Sequence, residues 1–124
     1  MGGLTVRFID SSARMSQAVV ANGFVYLAGQ VAPGPDVASQ TAAILERIDL
    51  LLRQAGSERR LLVSANVWLT DIATFAEMNG VWDQWVADIT PPARACVEAR
   101  LADPQFSVEI AAVALAGPQY VGVT

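Results

Sequence analysis

The sequence predicts an α+β domain in which a mixed β-sheet carries two helices packed on one face. An Asn-Gly turn between two apolar runs predicts a β-hairpin near the start of the chain. Two amphipathic helical stretches, a strand between them and two final apolar strands follow it. This order is typical of helices that cover one side of a single sheet. The length of 124 residues fits one domain, so residues 1–124 are expected to form a single unit.

The first three strands are predicted at the start of the chain. Residues 4–9 are expected to form a strand, because apolar residues alternate along them. Residues 17–20 and 24–28 are expected to be the two arms of the hairpin. Asn22 and Gly23 lie between the arms, and both residue types tolerate the positive φ angles of a tight turn.

Two helices are predicted from apolar residues that recur at helical spacing. The first begins after the N-cap residue Asp36 and ends before Gly56. The second follows the N-cap residue Asp71 and covers residues 72–86. Gly80 predicts a close packing contact there, because glycine lowers helix stability by ~1 kcal/mol relative to alanine. The apolar stripes are Val37, Thr41, Ile44, Ile48, Leu51, Leu52 and Ala55 in the first helix, and Phe75, Met78, Trp82 and Trp85 in the second.

The remaining strands are predicted at residues 60–69, 93–101 and 106–114. Charged residues interrupt the last two of them. Arg94 lies in a short apolar run behind two prolines, where its guanidinium is a fixed, permanently charged fork suited to a carboxylate. Glu109 is a carboxylate inside an otherwise apolar strand.

Side chains alternate along a strand, so Arg94 and Cys96 are expected on the same face. If the last two strands pair antiparallel, Arg94 and Glu109 come near one pocket. A structural ion pair between them is the alternative interpretation. Cys96 is interpreted either as part of a pocket or as a small apolar filler, which is the commoner role of a lone buried cysteine.

The composition excludes several kinds of chemistry. The chain contains no histidine and no lysine, so Schiff-base catalysis and a lysine-anchored pyridoxal phosphate are excluded. Acid–base work at neutral pH must use a carboxylate, the thiol of Cys96, or water. One cysteine cannot form an intrachain disulfide or a cysteine-built metal site. We therefore expect no metal site.

The charge and hydropathy of the chain limit its partners. The net charge is -4, and Arg59 and Arg60 are the only adjacent basic pair, so neither nucleic acid nor a membrane surface is an expected partner. The start of the chain lacks the order of a signal peptide, and we expect a cytoplasmic protein. Apolar residues make up 53% and charged residues 16%. Such a composition predicts apolar surface that is buried against another subunit.

Several short segments, taken in order, resemble the Rid (YjgF) family of reactive-intermediate imine deaminases. The resemblance implies a chorismate-mutase-like α+β fold and a homotrimer with ligand pockets between subunits. It also implies cofactor-independent hydrolysis of enamine and imine intermediates, such as 2-aminoacrylate, to 2-keto acids and ammonia. The segments are residues 14–19, 25–31, 40–41, 71–75, 78–79, 92–98 and 108–110.

The resemblance also implies roles for individual residues. The carboxylate-binding arginine of the family corresponds to Arg94, its strand cysteine to Cys96 and its helix asparagine to Asn79. Its late-strand glutamate corresponds to Glu109, which would position or deprotonate the attacking water. The glycine of its Ser-Gly-Gln segment corresponds to Gly29.

Two positions depart from the family pattern. Met15 stands where a tyrosine is often found, and Ala28 replaces the serine before the glycine. Both replacements remove hydroxyls from the expected pocket, which predicts an altered substrate range. Two other functions remain as alternatives: a non-catalytic trimeric binder of 2-keto acids or small carboxylates, and a hydrolase of a related carbon–nitrogen compound such as a carbamate.

Overall fold

The structure is a computed structural model that describes residues 5–117. These residues form one mixed six-stranded sheet with two α-helices packed on one face, which confirms the predicted α+β class. Short 3-10 helices, Arg59–Leu61 and Ile72–Thr74, precede the fourth strand and the second helix. The elements are β1 (Val6–Ser11), β2 (Ser16–Ala21), β3 (Phe24–Gln30), α1 (Val37–Gln54), β4 (Leu62–Leu69), α2 (Phe75–Trp85), β5 (Ala93–Glu98) and β6 (Val108–Leu115).

The order of strands in the sheet is β1-β2-β3-β6-β4-β5. Neighbouring strands are antiparallel except for β4 and β5, which are parallel. The conditional prediction that the last two strands pair with each other is wrong, because β4 lies between β5 and β6 and pairs with both. Strands β1 and β5 form the two edges of the sheet.

The hairpin between β2 and β3 is confirmed. Asn22 and Gly23 have φ angles of 54° and 83°, as the tight turn requires. Ala21 pairs with Phe24 directly across the turn. The first strand is displaced from the predicted residues 4–9, and Leu4 lies outside the described residues.

Helix α1 begins and ends at residues that satisfy its free backbone groups. Asp36 and Ser39 form a capping box at the first turn. At the other end, Gly56 has a φ angle of 78°, and the backbone N–H of Ser57 donates to the carbonyl of Leu52. All seven residues of the predicted stripe of α1 are buried.

Helix α2 is preceded by the turn that Asp71 caps, where its carboxylate accepts a hydrogen bond from the N–H of Ala73. Met78 and Trp82 are buried as predicted, but Phe75 is 41% exposed and lies at the margin of the stripe. The prediction of a close contact at Gly80 is wrong, since no heavy atom of residues 5–117 outside the adjoining helix backbone lies within 4 Å of the position that a Cβ would take.

The connections shift the ends of the other predicted strands. β4 begins at Leu62, because residues 59–61 form a helical turn. β5 ends at Glu98, whose carboxylate accepts from the N–H of Ile72. β6 begins at Val108.

The two faces of the sheet differ in what they contact. One face packs against both helices in a single core. The opposite face carries apolar side chains that are exposed or half-buried in the single chain. A row of paired positions on this face joins Phe8, Val19, Tyr26 and Val113 across four strands. The most exposed apolar residues of this open face are Val6, Phe8, Tyr26, Val97 and Leu115.

No helix within residues 5–117 is both long and apolar enough to cross a membrane.

Candidate functional site

Arg94 lies on the helix-covered side of the sheet, although it belongs to an edge strand. It pairs with Ala65 of β4, which pairs with Ala112 of β6. Both alanines are buried in the core between sheet and helices. Paired residues project to the same side of a sheet, so the side chain of Arg94 is directed toward α2.

Helix α2 holds the guanidinium of Arg94 through neutral groups only. Its Nη1 donates to Oδ1 of Asn79 over 2.8 Å and lies 3.9 Å from Sδ of Met78. Its Cζ is 5.0 Å from the ring centroid of Trp82 and 5.7 Å from that of Phe75. These distances are typical of cation–π contacts. The structure therefore brings together Arg94 and Asn79, two of the predicted site residues.

The charge of Arg94 has no acidic partner in the part of the chain that the structure describes. The ion pairs found there join Arg59 to Asp49 and Asp88, and Arg60 to Glu58. Nε and Nη2 of Arg94 make no hydrogen bond to any residue between 5 and 117. A half-buried guanidinium with an unused edge has the geometry to donate two hydrogen bonds to a carboxylate.

Cys96 lies two residues after Arg94 on the same face and packs against the margin of the core. Burial raises the pKa of its thiol, and the positive charge of Arg94 offsets part of that rise. The thiol is therefore neutral near pH 7, which suits a residue that lines a site better than a nucleophile.

Glu109 lies on the opposite face from Arg94. It pairs with Trp68 of β4, which pairs with Val97 of β5. This row alternates with the rows directed at the helices, so the carboxylate of Glu109 belongs to the open face. The ion pair between Arg94 and Glu109 that the sequence allowed is therefore not formed between these two residues of the described chain.

Gly29 lies directly beneath the side chain of Glu109. Strand β3 contains an irregularity between Leu27 and Gln30, and Gly29 lies within it. A Cβ at position 29 would overlap the carboxylate of Glu109, which comes close to the bare backbone. A side chain at position 29 would therefore force the flexible end of Glu109 to move.

The two positions that depart from the family pattern lie just before β2 and within β3. Met15 is 45% exposed and precedes β2. Its backbone N–H donates to the hydroxyl oxygen of Ser12. Ala28 lies in the irregular part of β3, and its carbonyl accepts from the side chain of Gln30. The structure thus brings together Arg94, Cys96 and Asn79, which we call the arginine group, and separately brings Glu109 against Gly29.

Phe75 and Trp82 are parts of the arginine group that the sequence did not reveal. Their spacing from Met78 and Asn79 places all four on one face of a helix. This spacing predicts an apolar stripe, and such a stripe favours core packing over a contact with a charged group. A cation in contact with a stripe residue is visible only once the strand order is known.

Two further features bear on the chemistry of the site. No group of three or more potential metal ligands is found within residues 5–117. A groove of about 480 Å³ lies beside the outer side of α1, where Arg47, Leu50 and Arg53 line it, but neither Arg94 nor Glu109 does.

Comparison with known proteins places this geometry in a family. Residues 5–116 match the family described as Endoribonuclease L-PSP. A crystal structure of a YjgF-family protein from Neisseria meningitidis superposes with a TM-score of 0.88 and 46% identity, over 90% of this chain and 95% of that one. The chain is a member of the YjgF/Rid family.

Curated relatives of this YjgF/Rid protein carry the name RutC family protein. One from Haemophilus influenzae is 40% identical over 117 residues, which are 90% of this chain and 98% of the relative. YoaB from Escherichia coli is 38% identical over 112 residues, with the same two coverages. A structure from Mycobacterium tuberculosis, a member of the YjgF/YER057c/UK114 family, has a TM-score of 0.84 and 31% identity, over 90% of this chain and 100% of that one.

Proposed function

We propose that this YjgF/Rid protein acts in the cytoplasm as a cofactor-independent hydrolase of 2-aminoacrylate-type enamines and imines, with 2-keto acids and ammonia as products. The observation that carries the proposal is Arg94, a half-buried cation without an acidic partner among residues 5–117. Its Nε and Nη2 are the edge of the guanidinium that binds a carboxylate through two parallel hydrogen bonds. Substrates of this class carry such a carboxylate beside the reacting carbon.

The chemistry needs little beyond orientation and a water molecule. The enamine tautomerises to an imine, and water adds to the imine carbon to give a carbinolamine. Loss of ammonia from the carbinolamine leaves the 2-keto acid, so one water is consumed for each ammonia released. Binding of the carboxylate by Arg94 fixes the imine carbon in place, and Glu109 accepts a proton from the attacking water.

The proposal requires a homotrimer, because Arg94 and Glu109 lie on opposite faces of one sheet. Arg94 is near the β5 edge, whereas Glu109 belongs to the open face with its exposed Phe8 and Tyr26. Exposed apolar surface of this kind favours association. When the open face of one subunit packs near the β5 edge of the next, Glu109 and Gly29 of the first approach Arg94 of the second.

The test is an assay of ammonia and keto-acid release from enzymatically generated imines with side chains from small to bulky. Arg94→Ala is expected to abolish release, and Arg94→Lys to lose most of it, because lysine keeps the charge but not the fork. Arg60→Ala is the matched control, since the side chain of Arg60 is 70% exposed and pairs with Glu58. Normal turnover by Arg94→Ala would disprove the proposal.

The same assay separates the two alternatives. A protein that is thermally stabilised by 2-keto acids but releases no ammonia is a binding module. Release of ammonia from a carbamate, with none from imines, indicates the related hydrolase.

Direct action on RNA is not supported, despite the nuclease in the family description. The net charge is -4. Two of the arginines, Arg59 and Arg60, are paired with carboxylates. Recognition of nucleic acid requires a positive surface that follows the phosphates.

A further inference from the structure

We propose that Asn79 and Trp82 are positioning residues for Arg94, and that their neutrality keeps the guanidinium available to a carboxylate. This inference rests on the proposed function and assigns Asn79 a role through Arg94 instead of direct contact with substrate. Asn79 occupies one nitrogen of the guanidinium, Nη1, and Trp82 provides an aromatic surface. The remaining edge, Nε and Nη2, is the one proposed to bind substrate.

Helix geometry allows one element to supply all of these contacts. Met78, Asn79 and Trp82 follow Phe75 by three, four and seven residues, so all four side chains share one face of α2. Arg94 on β5 lies across from this face. One helix therefore fixes both the position and the orientation of the cation.

The contacts of Trp82 hold its ring rigidly. Trp82 is 5% exposed, and its ring centroid is 5.4 Å from that of Trp85. The indole N–H of Trp85 donates to Asp49 of α1, which also forms an ion pair with Arg59. A chain of contacts from α1 through Trp85 thus supports the surface on which Arg94 lies.

The charge of the residue at position 79 is the feature that decides affinity. An amide oxygen accepts the hydrogen bond from Nη1 without neutralising the cation. A cation–π contact with Trp82 also leaves the full positive charge in place. A carboxylate at position 79 would form an ion pair with Arg94 and compete with the carboxylate of the substrate.

The test is Asn79→Asp, which keeps the shape of the side chain and its hydrogen bond but adds a negative charge. Pyruvate serves as the probe, and its binding is measured by titration calorimetry. The dissociation constant is expected to rise at least about tenfold. The interaction of two unit charges within about 4 Å at partial exposure exceeds the free energy that corresponds to a tenfold change. KM for imines is expected to rise in parallel, whereas the melting temperature stays equal or increases.

Gln84→Glu is the matched control. It makes the same change from amide to carboxylate on the same helix, at an exposed position. Its dissociation constant for pyruvate is expected to stay within about twofold of the parent value. If Asn79→Asp binds pyruvate as tightly as Gln84→Glu, the inference is wrong, because a purely structural asparagine predicts that result.

A second measurement is independent of ligand and of activity. The Nη1–H resonance of Arg94 that donates to Asn79, assigned by its loss in Arg94→Lys, is expected to be sharp and protected from exchange in the parent protein. Asn79→Ala and Trp82→Leu are expected to broaden it, and Trp82→Phe to preserve it. A resonance that no variant changes would overturn the inference. A parent protein with a protected resonance but no pyruvate binding and no ammonia release would instead contradict the proposed function.

Discussion

The carboxylate of Glu109 lies against the bare backbone of Gly29, with its Cδ 2.8 Å from the position that a Cβ of residue 29 would occupy. Real Cβ atoms do not approach other atoms so closely, so any side chain at position 29 would displace the end of Glu109 from its present position. The pair links an irregular part of β3 to the first residues of β6.

Gly29→Ala is expected to displace the carboxylate of Glu109 and to lower kcat for imine hydrolysis by at least about tenfold, since a shift of about 1 Å in a reacting group has effects of this order or larger. The fold should persist, because the end of the glutamate side chain can rotate away, with a loss of about 1–3 kcal/mol in the free energy of unfolding. Steady-state kinetics and urea unfolding measure the two effects. Unchanged kcat would show that the position of this carboxylate does not matter to the reaction.

Gly80→Ala is the same substitution at a site with free space, and the opposite result is expected. Apart from the adjoining helix backbone, no heavy atom of the described residues lies within 4 Å of the added methyl group, and position 80 lies inside α2. The free energy of unfolding should increase by about 1 kcal/mol, because alanine is the better helix former. A loss of stability in urea unfolding would indicate that a neighbouring subunit covers this position.

A mixing experiment tests whether one site uses Arg94 and Glu109 from different subunits. Arg94→Ala and Glu109→Gln are each expected to be inactive. Refolding the two variants together in equal amounts should restore about a quarter of the parent activity, since that share of the clefts in a random trimer combines an intact Arg94 with an intact Glu109. If the two residues act within one chain, mixing restores no activity.

The hairpin and both helices were predictable because their signals are local. Asn22 and Gly23 specify a turn, and Asp36 and Gly56 mark the ends of α1, without reference to the rest of the chain. The order of strands in the sheet is not local. The sequence gives no sign that β4 lies between β5 and β6, and this insertion determines which residues share a row.

The candidate site was predictable to a similar extent. Resemblance named Asn79 as well as Arg94, and the structure brings these two side chains together. The resemblance did not reveal that Glu109 lies on the other face of the sheet. Alternation along a strand shows which of its residues share a face, but not which face of the sheet that is. The sequence also does not distinguish an aromatic residue that only packs in the core from one that contacts a cation, as Trp82 does.

The side chain of Gln40 in α1 forms hydrogen bonds with the connection between β5 and β6. Its side-chain N–H groups donate to the carbonyls of Gly34 and Gln105, and its carbonyl accepts from the N–H of Ser107. Gln40→Leu keeps the volume but leaves these groups without partners. It is expected to lower the free energy of unfolding by about 2–4 kcal/mol.

The control for Gln40→Leu is Gln54→Leu, at an exposed position of the same helix. Its effect on the free energy of unfolding should stay within about 0.5 kcal/mol. Both variants are compared in urea at one protein concentration, because association makes stability depend on concentration. Equal stabilities would contradict the role assigned to Gln40.

The thiol of Cys96 provides a pH-dependent test of the environment of Arg94. Burial disfavours the thiolate and raises the pKa of Cys96 above its ordinary value of 9.0, while the charge of Arg94 lowers it by less. Below that pKa only a small thiolate fraction reacts, so alkylation by iodoacetamide at pH near 8 is expected to be slower in the folded protein than in urea. The rate should rise with pH through an inflection above 9.0. Arg94→Met removes the favourable charge, so its inflection should move to higher pH, and a plateau of the parent rate below 9.0 would contradict this account of the site.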